Sequence, residues 1–292
     1  MNINNLLIYG RKYLSEQGVP DSQFKSRVLL SHILGIEKIQ LIINALQDVD
    51  NITISNYKNA LKKLAKGTPI QYITNTQEFM KLNFYVDENV LIPQPDTEIL
   101  VEEVINYIEN HLNNNTVANE PIRILDLCTG SGAIAISLAK NIQNCNIIAT
   151  DISSKALQIA KLNAERNLVR NSIQFIESDM FLALNDFKNF DIIVSNPPYI
   201  ETSTIKNLSK EVKSEPILAL DGGADGLDFY RIIFNNGYEF LNDTGKVFVE
   251  IGYNQRLSVF NLIEETLKYE DMQCIQDLSG NDRVIIASKK QL

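Results

Sequence analysis

Asn196-Pro-Pro-Tyr199 is the stretch of this sequence best equipped for chemistry. The Asn196 side-chain carbonyl and the Pro197 carbonyl are both acceptors, and Tyr199 brings a flat aromatic face. Proline gives no N–H to a sheet ladder and forces the residue before it into extended backbone. Two stiffly held acceptors beside an aromatic plate suit a planar substrate that carries an NH2 group. The preceding run, Phe190-Asp-Ile-Ile-Val-Ser195, reads as a buried strand. Asn196 is therefore expected at the carboxyl end of a central strand, where open α/β sheets place their ligands. On these residues alone, a strand ending in a plain Pro-Pro turn is the other reading.

Three further features fall at expected strand ends. In Asp126-Leu-Cys-Thr-Gly-Ser-Gly132, the two glycines permit a tight turn and close backbone approach to a ligand. The loop lacks Gly-x-Gly-x-x-Gly spacing and no Lys-Ser/Thr follows, so dinucleotide and ATP readings fall away. It suits S-adenosylmethionine, which has ribose and carboxypropyl groups but no phosphate, although an ordinary strand-to-helix turn would look the same. Asp151 directly follows the next strand, placed to accept from ribose hydroxyls or simply to begin a turn. Ser178-Asp179-Met180 follows the third strand, with a carboxylate for an adenine amino group and a side chain to pack on the ring. It is the succession of strand ends bearing parts of one site that favours a binding site over four unrelated turns.

The elements that must position these residues are legible as periodicity. From Ile122 onward strands alternate with helices, the signature of a doubly wound parallel sheet. Strands are expected at Ile122 to Leu127, Asn146 to Thr150, Ile173 to Ile176, Asp191 to Ser195 and Val247 to Ile251, closed by a hairpin over Met272 to Leu278 and Arg283 to Ala287. Helices are expected at Ala133 to Lys140, at Ser153 to Asn167 capped by Ser153, at Ile205 to Lys213, through Tyr230 to Phe240, and at Leu257 to Leu267. Asp96 or Thr97 is expected to cap a further helix through Ile108, followed by an Asn113-Asn-Asn-Thr116 loop. Residues 1 to about 66 read only as helices. Asp21 or Ser22 would cap the second, the third would run from about Glu37 to Leu46, and Ser55 would open the fourth. Phe79, Leu82, Phe84, Val86 and Val90 suit a β-hairpin between the two regions.

Composition narrows the classes. A 292-residue chain with 45% hydrophobic and 22% charged residues is an ordinary globular protein, long enough for one large and one small domain. No run approaches the roughly 18 apolar residues of a membrane span, and the start lacks the form of a signal peptide, so cytoplasm is the expectation. Three cysteines without Cys-x-x-Cys spacing and two histidines argue against a metal site or a histidine-dependent triad. A net charge of −9 argues against the broad basic surface that tight nucleic-acid binding needs.

Together, the four strand-end features resemble class I S-adenosylmethionine-dependent methyltransferases that act on amide or exocyclic amino nitrogens. Gln71-Tyr-Ile73, Ile92-Pro-Gln-Pro-Asp-Thr-Glu98, Asn196-Pro-Pro-Tyr-Ile200, Glu215-Pro-x-x-Ala-Leu220 and Asn281-Asp-Arg-Val284 extend the likeness over nearly the whole chain. They resemble the HemK-type (PrmC) glutamine N5-methyltransferases of peptide chain release factors. Cys128 stands where many methyltransferases have glycine, Gln94 where arginine is frequent, and Met180 where an aromatic residue is common.

The resemblance implies a Rossmann-like α/β methyltransferase domain, with a mostly parallel seven-stranded sheet and a closing antiparallel hairpin. It implies a helical substrate-recognition domain at residues 1–75, a hairpin linker at 76–95 and the methyltransferase domain at 96–292. S-adenosylmethionine would be held by Asp126, Cys128, Thr129, Gly130, Ser131, Gly132, Asp151, Asp179, Met180 and Asn196. Asn196, Pro197, Pro198 and Tyr199 would bind the glutamine amide of a release factor's Gly-Gly-Gln loop. Asn196, Pro197 and Tyr199 would carry the catalysis. A ribosomal-protein glutamine or a nucleic-acid base amino group is the alternative substrate.

Overall fold

The computed structural model describes residues 1–112 and 120–291, so the expected loop at Asn113 to Thr116 lies outside the described residues. The chain divides into two compact units. One is Met1–Thr76 with Leu208–Ser214; the other is Gln77–Asn207 with Glu215–Leu292.

The first unit is helical, with α1 (Ile3–Glu16), α2 (Ser22–Leu34), a short α3 (Gln40–Ile43), α4 (Asn51–Ala65) and α5 (Ile70–Thr74). Apolar side chains at helical spacing meet in one core around Leu6, Leu14, Leu29, Leu30, Tyr57 and Leu61. Three expectations about its ends are corrected. Asp21 sits at the start of α2 in left-handed backbone (φ 54°) and makes no side-chain cap. Helix α4 begins at Asn51 rather than Ser55, because the Asp50 carboxylate accepts from the backbone N–H of Ile52 and Thr53. Helix α3 is four residues long, and Ile42, Ile43 and Leu46 stay exposed. Leu208–Ser214 is held within this unit by a 2.8 Å ion pair from Lys25 to Glu211 and by Ser214 donating to the Gly67 carbonyl.

The second unit opens with a tight hairpin, β1 (Gln77–Phe79) and β2 (Leu82–Phe84), and then α6 (Asp96–Tyr107). The sheet follows as β3 (Ile122–Leu127), α7 (Ala133–Asn141), β4 (Cys145–Asp151), α8 (Ser154–Arg166), β5 (Ile173–Glu177) and β6 (Phe190–Ser195). It continues through α9 (Thr202–Ile205), α10 (Asp228–Asn236), β7 (Leu241–Glu250), α11 (Arg256–Thr266), β8 (Tyr269–Gln276) and β9 (Asp282–Lys289). The order across the seven strands is β5-β4-β3-β6-β7-β9-β8. Pairs from β5 to β7 are parallel, and β9 and β8 pair antiparallel, giving the Rossmann-like sheet with its closing hairpin. The central strands are apolar on both faces because helices cover both sides. Ser153 caps α8 as expected, its hydroxyl accepting from the Ala156 N–H at 3.2 Å.

Two helix expectations fail here. Ile205 to Lys213 is no continuous helix; the single turn of α9 ends at Ile205 and a 3-10 turn covers Val212–Ser214. Helix α6 has Pro95 at its cap with no side-chain bond, so neither Asp96 nor Thr97 caps it. No helix among the described residues is long and apolar enough to cross a membrane.

Tyr57 is fully buried and its hydroxyl lies 2.7 Å from that of Ser26. A methyl on Gly10 would press on the Tyr57 ring and lie 2.7 Å from the Ser26 hydroxyl oxygen. Gly10→Ala should therefore cost about 1–3 kcal/mol of overpacking, read as a lower urea midpoint with unchanged slope.

Candidate active site

The crevice forms where the sheet reverses direction. From β3 the chain winds outward through β4 to β5, then returns to place β6 on the other side of β3. Leu127 and Ser195 end these two strands opposite each other, and the Ser195 hydroxyl donates to the Leu127 carbonyl at 2.8 Å. Cys128 and Asn196 are the next residues in each strand, so the fold delivers both loops to one place.

Two carboxylates shape the loop after β3. Asp126 is fully buried; its Oδ2 accepts from the Thr129 hydroxyl at 2.6 Å and from the Ala135 N–H at 3.2 Å, and its Oδ1 has no partner. Burial pushes its carboxyl up to about 7. Asp151 accepts from the Gly130 N–H at 2.9 Å through one oxygen and from the Ser153 N–H at 2.8 Å through the other. Burial raises it as well, against those two donors. Cys128 takes left-handed backbone at φ 59°, which is why glycine is at home in this position; its sulfur lies 3.7 Å from that of Met180. At Gly132 a Cβ would stand 3.1 Å from the Ala160 Cβ, so glycine lets the start of α7 close on α8.

Around Asn196 a second network is buried. The Asn196 Nδ2 donates to the Thr97 Oγ1 at 3.1 Å, and Thr97 donates to the Glu250 Oε2 at 2.6 Å. The Tyr199 hydroxyl donates to the other Glu250 oxygen at 3.2 Å. Glu250 is 2% exposed, and burial pushes its carboxyl up to about 7 although Thr97, Arg283 and Tyr199 pull it down. Arg283 pairs with Asp277 at 3.0 Å and Asp96 at 3.2 Å. The Tyr199 carbonyl accepts from the Gln255 amide at 3.0 Å. Gly222 packs directly beneath, since a Cβ there would lie 2.7 Å from the Tyr199 Cα and 2.9 Å from the Pro198 oxygen.

Of the residues singled out in the sequence, Cys128, Gly130, Asp151, Asp179, Met180, Asn196 and Pro198 line one cavity. Asp126, Thr129, Ser131, Gly132, Pro197 and Tyr199 do not line it. Sequence reasoning missed Thr97, Glu250, Gln255 and Asn163. Asn163 is buried on α8, accepting from the Tyr85 N–H and donating to the Tyr85 and Ser131 carbonyls. The signal for Glu250 was present: a carboxylate closing the apolar run Val247-Phe-Val-Glu-Ile251.

The cavity is walled by Leu91, Ile152, Ala156, Met180, Leu218 and Phe229, and its charged lining residues are Asp151 and Asp179. No Lys or Arg lines it among the described residues, so it offers no counter-charge to phosphates. Acceptors and apolar walls fit a cation that carries hydroxyls and a flat amino-bearing ring, the chemical features of S-adenosylmethionine. Among the described residues no group of three His, Cys, Asp or Glu could hold a metal ion.

Two family models match parts of the chain. The family described as Methyltransferase small domain matches residues 107–215, and PrmC N-terminal domain matches residues 5–74. A release factor glutamine methyltransferase of Geobacter sulfurreducens is 38% identical, covering 97% of this chain and 95% of its own. One of Clostridium acetobutylicum is 37% identical, covering 98% of each. Among solved structures, the hMettl16 catalytic domain in complex with the MAT2A 3'UTR hairpin 6 has a TM-score of 0.57 at 15% identity, over 83% of each chain, and shares the fold.

Three buried carboxyls, Asp126, Glu215 and Glu250, have folded-state pKa values raised to about 7 by burial. Each favours the folded state fully below its unfolded pKa, and that contribution is lost as pH rises through about 7. Asp277 works oppositely: donors from Asn281 and Arg283 lower it to about 2, so its contribution is present above its ordinary value and is lost as pH falls through about 2. Calorimetric Tm should therefore fall between about pH 4 and about pH 7, and Glu215→Gln should make that fall shallower. A Tm that rises over this window would contradict the assignment.

Proposed function

The chain belongs to the family of release factor glutamine methyltransferases, and we propose that it moves a methyl group from S-adenosylmethionine to the side-chain amide nitrogen of the glutamine in the Gly-Gly-Gln loop of peptide chain release factors. The observation that carries this reading is the position of Asn196. It lines the same cavity as Asp151 and Asp179, at the carboxyl end of β6 and beside the loop that ends β3.

When bound, S-adenosylmethionine supplies a methyl group already activated on a sulfonium. The residues of this chain then have to hold, orient and dry the reactants. Asp151, whose oxygens each keep a lone pair beyond their backbone donors, would accept from ribose hydroxyls. Asp179 would accept from the adenine amino group while Met180 packs on the ring. The backbone of Cys128, Thr129, Gly130, Ser131 and Gly132, shaped by Asp126, would follow the remainder of the molecule.

An amide nitrogen is a poor nucleophile because its lone pair is delocalised. Asn196 Oδ1 and the Pro197 carbonyl would accept its two N–H groups, and Tyr199 and Pro198 would flank the amide plane. This fixes the nitrogen in line with the transferring methyl, and alignment with desolvation supplies much of the rate. The C–S bond pair would return to sulfur as the N–C bond forms, and the nitrogen would then give up its proton to solvent water.

A single glutamine side chain offers little surface for selection, whereas specific protein interfaces bury about 1,200–2,000 Å² in total. The helical unit therefore serves as the second contact with the release factor, away from the Gly-Gly-Gln loop.

Two substitutions separate the roles. Asp151→Ala should weaken S-adenosylmethionine binding by about 1.5–3 kcal/mol in calorimetry, and unchanged affinity would move the ribose elsewhere. Asn196→Ala should leave that affinity near normal while single-turnover transfer of labelled methyl to purified release factor falls about 10²–10³-fold. Label appearing in RNA, DNA or a ribosomal protein instead of the release factor would overturn the substrate assignment.

A further inference from the structure

A carboxamide has two nearly isosteric ends, and only one of them can accept from a substrate N–H. Methylation as read above needs Asn196 to present Oδ1 to the substrate and never Nδ2. Nothing in Asn196 itself makes that choice. The choice must come from whatever holds the other end.

That partner is Thr97, 99 positions earlier in the chain and at the start of α6. Its hydroxyl has one proton to give, and Glu250 takes it across 2.6 Å. With its proton committed, the Thr97 oxygen can only accept, so the asparagine end that faces it must be the NH2 group. Glu250 sets this polarity because an ionised carboxylate has no proton of its own to donate. Its second oxygen receives the Tyr199 hydroxyl. The charged groups that bear on it are Arg283 and Asp96, and the former is shared with Asp277. Thr97 and Glu250 are 4% and 2% exposed, so no bulk water is at hand to replace either partner.

We propose that Glu250 and Thr97 form a one-way hydrogen-bond relay that orients the Asn196 carboxamide, and that both are positioning residues for the methyl transfer assigned above. They touch neither substrate nor methyl donor. Their effect is to keep the acceptor end of Asn196 facing the amide that is to be methylated. The proposal rests on the function read above and adds to it the reason why Asn196 points one way.

The test is single-turnover methyl transfer to purified release factor at about pH 8, above the value of about 7 to which burial raises Glu250, with S-adenosylmethionine affinity and Tm measured on each variant. Thr97→Val removes the relay but keeps the side-chain shape. It should lower the transfer rate about 10–100-fold with S-adenosylmethionine affinity unchanged, and Thr97→Ser should restore most of the loss.

The sharper test reverses the relay. Asn196→Asp sets a carboxylate oxygen against a Thr97 oxygen that has no proton to offer, so transfer should be slow. Adding Glu250→Gln supplies an NH2 that can donate to Thr97, which frees the Thr97 proton for the introduced carboxylate. The double variant should therefore transfer about tenfold faster than Asn196→Asp alone, although Glu250→Gln by itself slows the wild-type enzyme. A merely structural glutamate would make the double variant no better than the single one, and that result would overturn the relay. So would a Thr97→Val enzyme that runs at the wild-type rate. Failure of the wild-type chain to label release factor at all would instead remove the functional reading, and the relay with it.

Discussion

Glu250 is a carboxylate placed where a carboxylate should not be, at the inner end of β7 with almost no access to water. Burying an ionisable group without partners costs several kcal/mol, so the surrounding elements must supply donors. Thr97 from α6 and Tyr199 from the segment after β6 donate to it, and Arg283 from β9 adds a positive charge nearby. These three elements are far apart in the chain and meet only because the sheet brings them together. A local electrostatic debt is thus what fastens the carboxyl end of the sheet into one geometry.

Beside that hub the backbone is fixed by other means. The strand ends of β3 and β6 are tied by the Ser195 hydroxyl, and the Thr129 N–H donates to the Thr150 carbonyl at 2.8 Å, which fastens the loop after β3 to β4. Asp151 then receives the Gly130 N–H from that loop. The two halves of the cavity are held by different chemistry: hydrogen bonds from backbone groups on the side facing β4, and a buried charge network on the side facing β7.

The strands were legible because their apolar runs are short, β-branched and bounded by turn residues, as in Asp191-Ile-Ile-Val-Ser195 and Ile122-Arg-Ile-Leu-Asp-Leu127. The strand-end residues were legible because a polar or glycine cluster directly after such a run has few places to be. Thr97 was misread as a cap because a threonine opening a helix looks the same whether its hydroxyl turns back to the backbone or reaches a carboxylate 153 positions away. Glu250 was passed over as one more residue of the strand expected at Val247 to Ile251. Leu208–Ser214 could not be assigned to the helical unit, since what holds it there is a lysine 186 positions from its glutamate. Local pattern reports elements and their ends; it is silent on pairs that only tertiary folding creates.

The order of the strands also sets an order in time. Synthesis proceeds from the amino end, so Thr97 is made first, Asn196 next, then Glu250, and Arg283 last of all. Strand β9, which carries Arg283, inserts between β7 and β8 although it follows both in the chain. Until it arrives, β7 has an open edge and Glu250 lacks its positive neighbour. A chain made only as far as Asn196-Pro-Pro-Tyr199 lacks the Glu250 carboxylate that accepts from Thr97 and Tyr199. The hydrogen bonds around Asn196 thus depend on residues made after it, and β7, the strand that carries Glu250, gains its second neighbour only when β9 pairs with it.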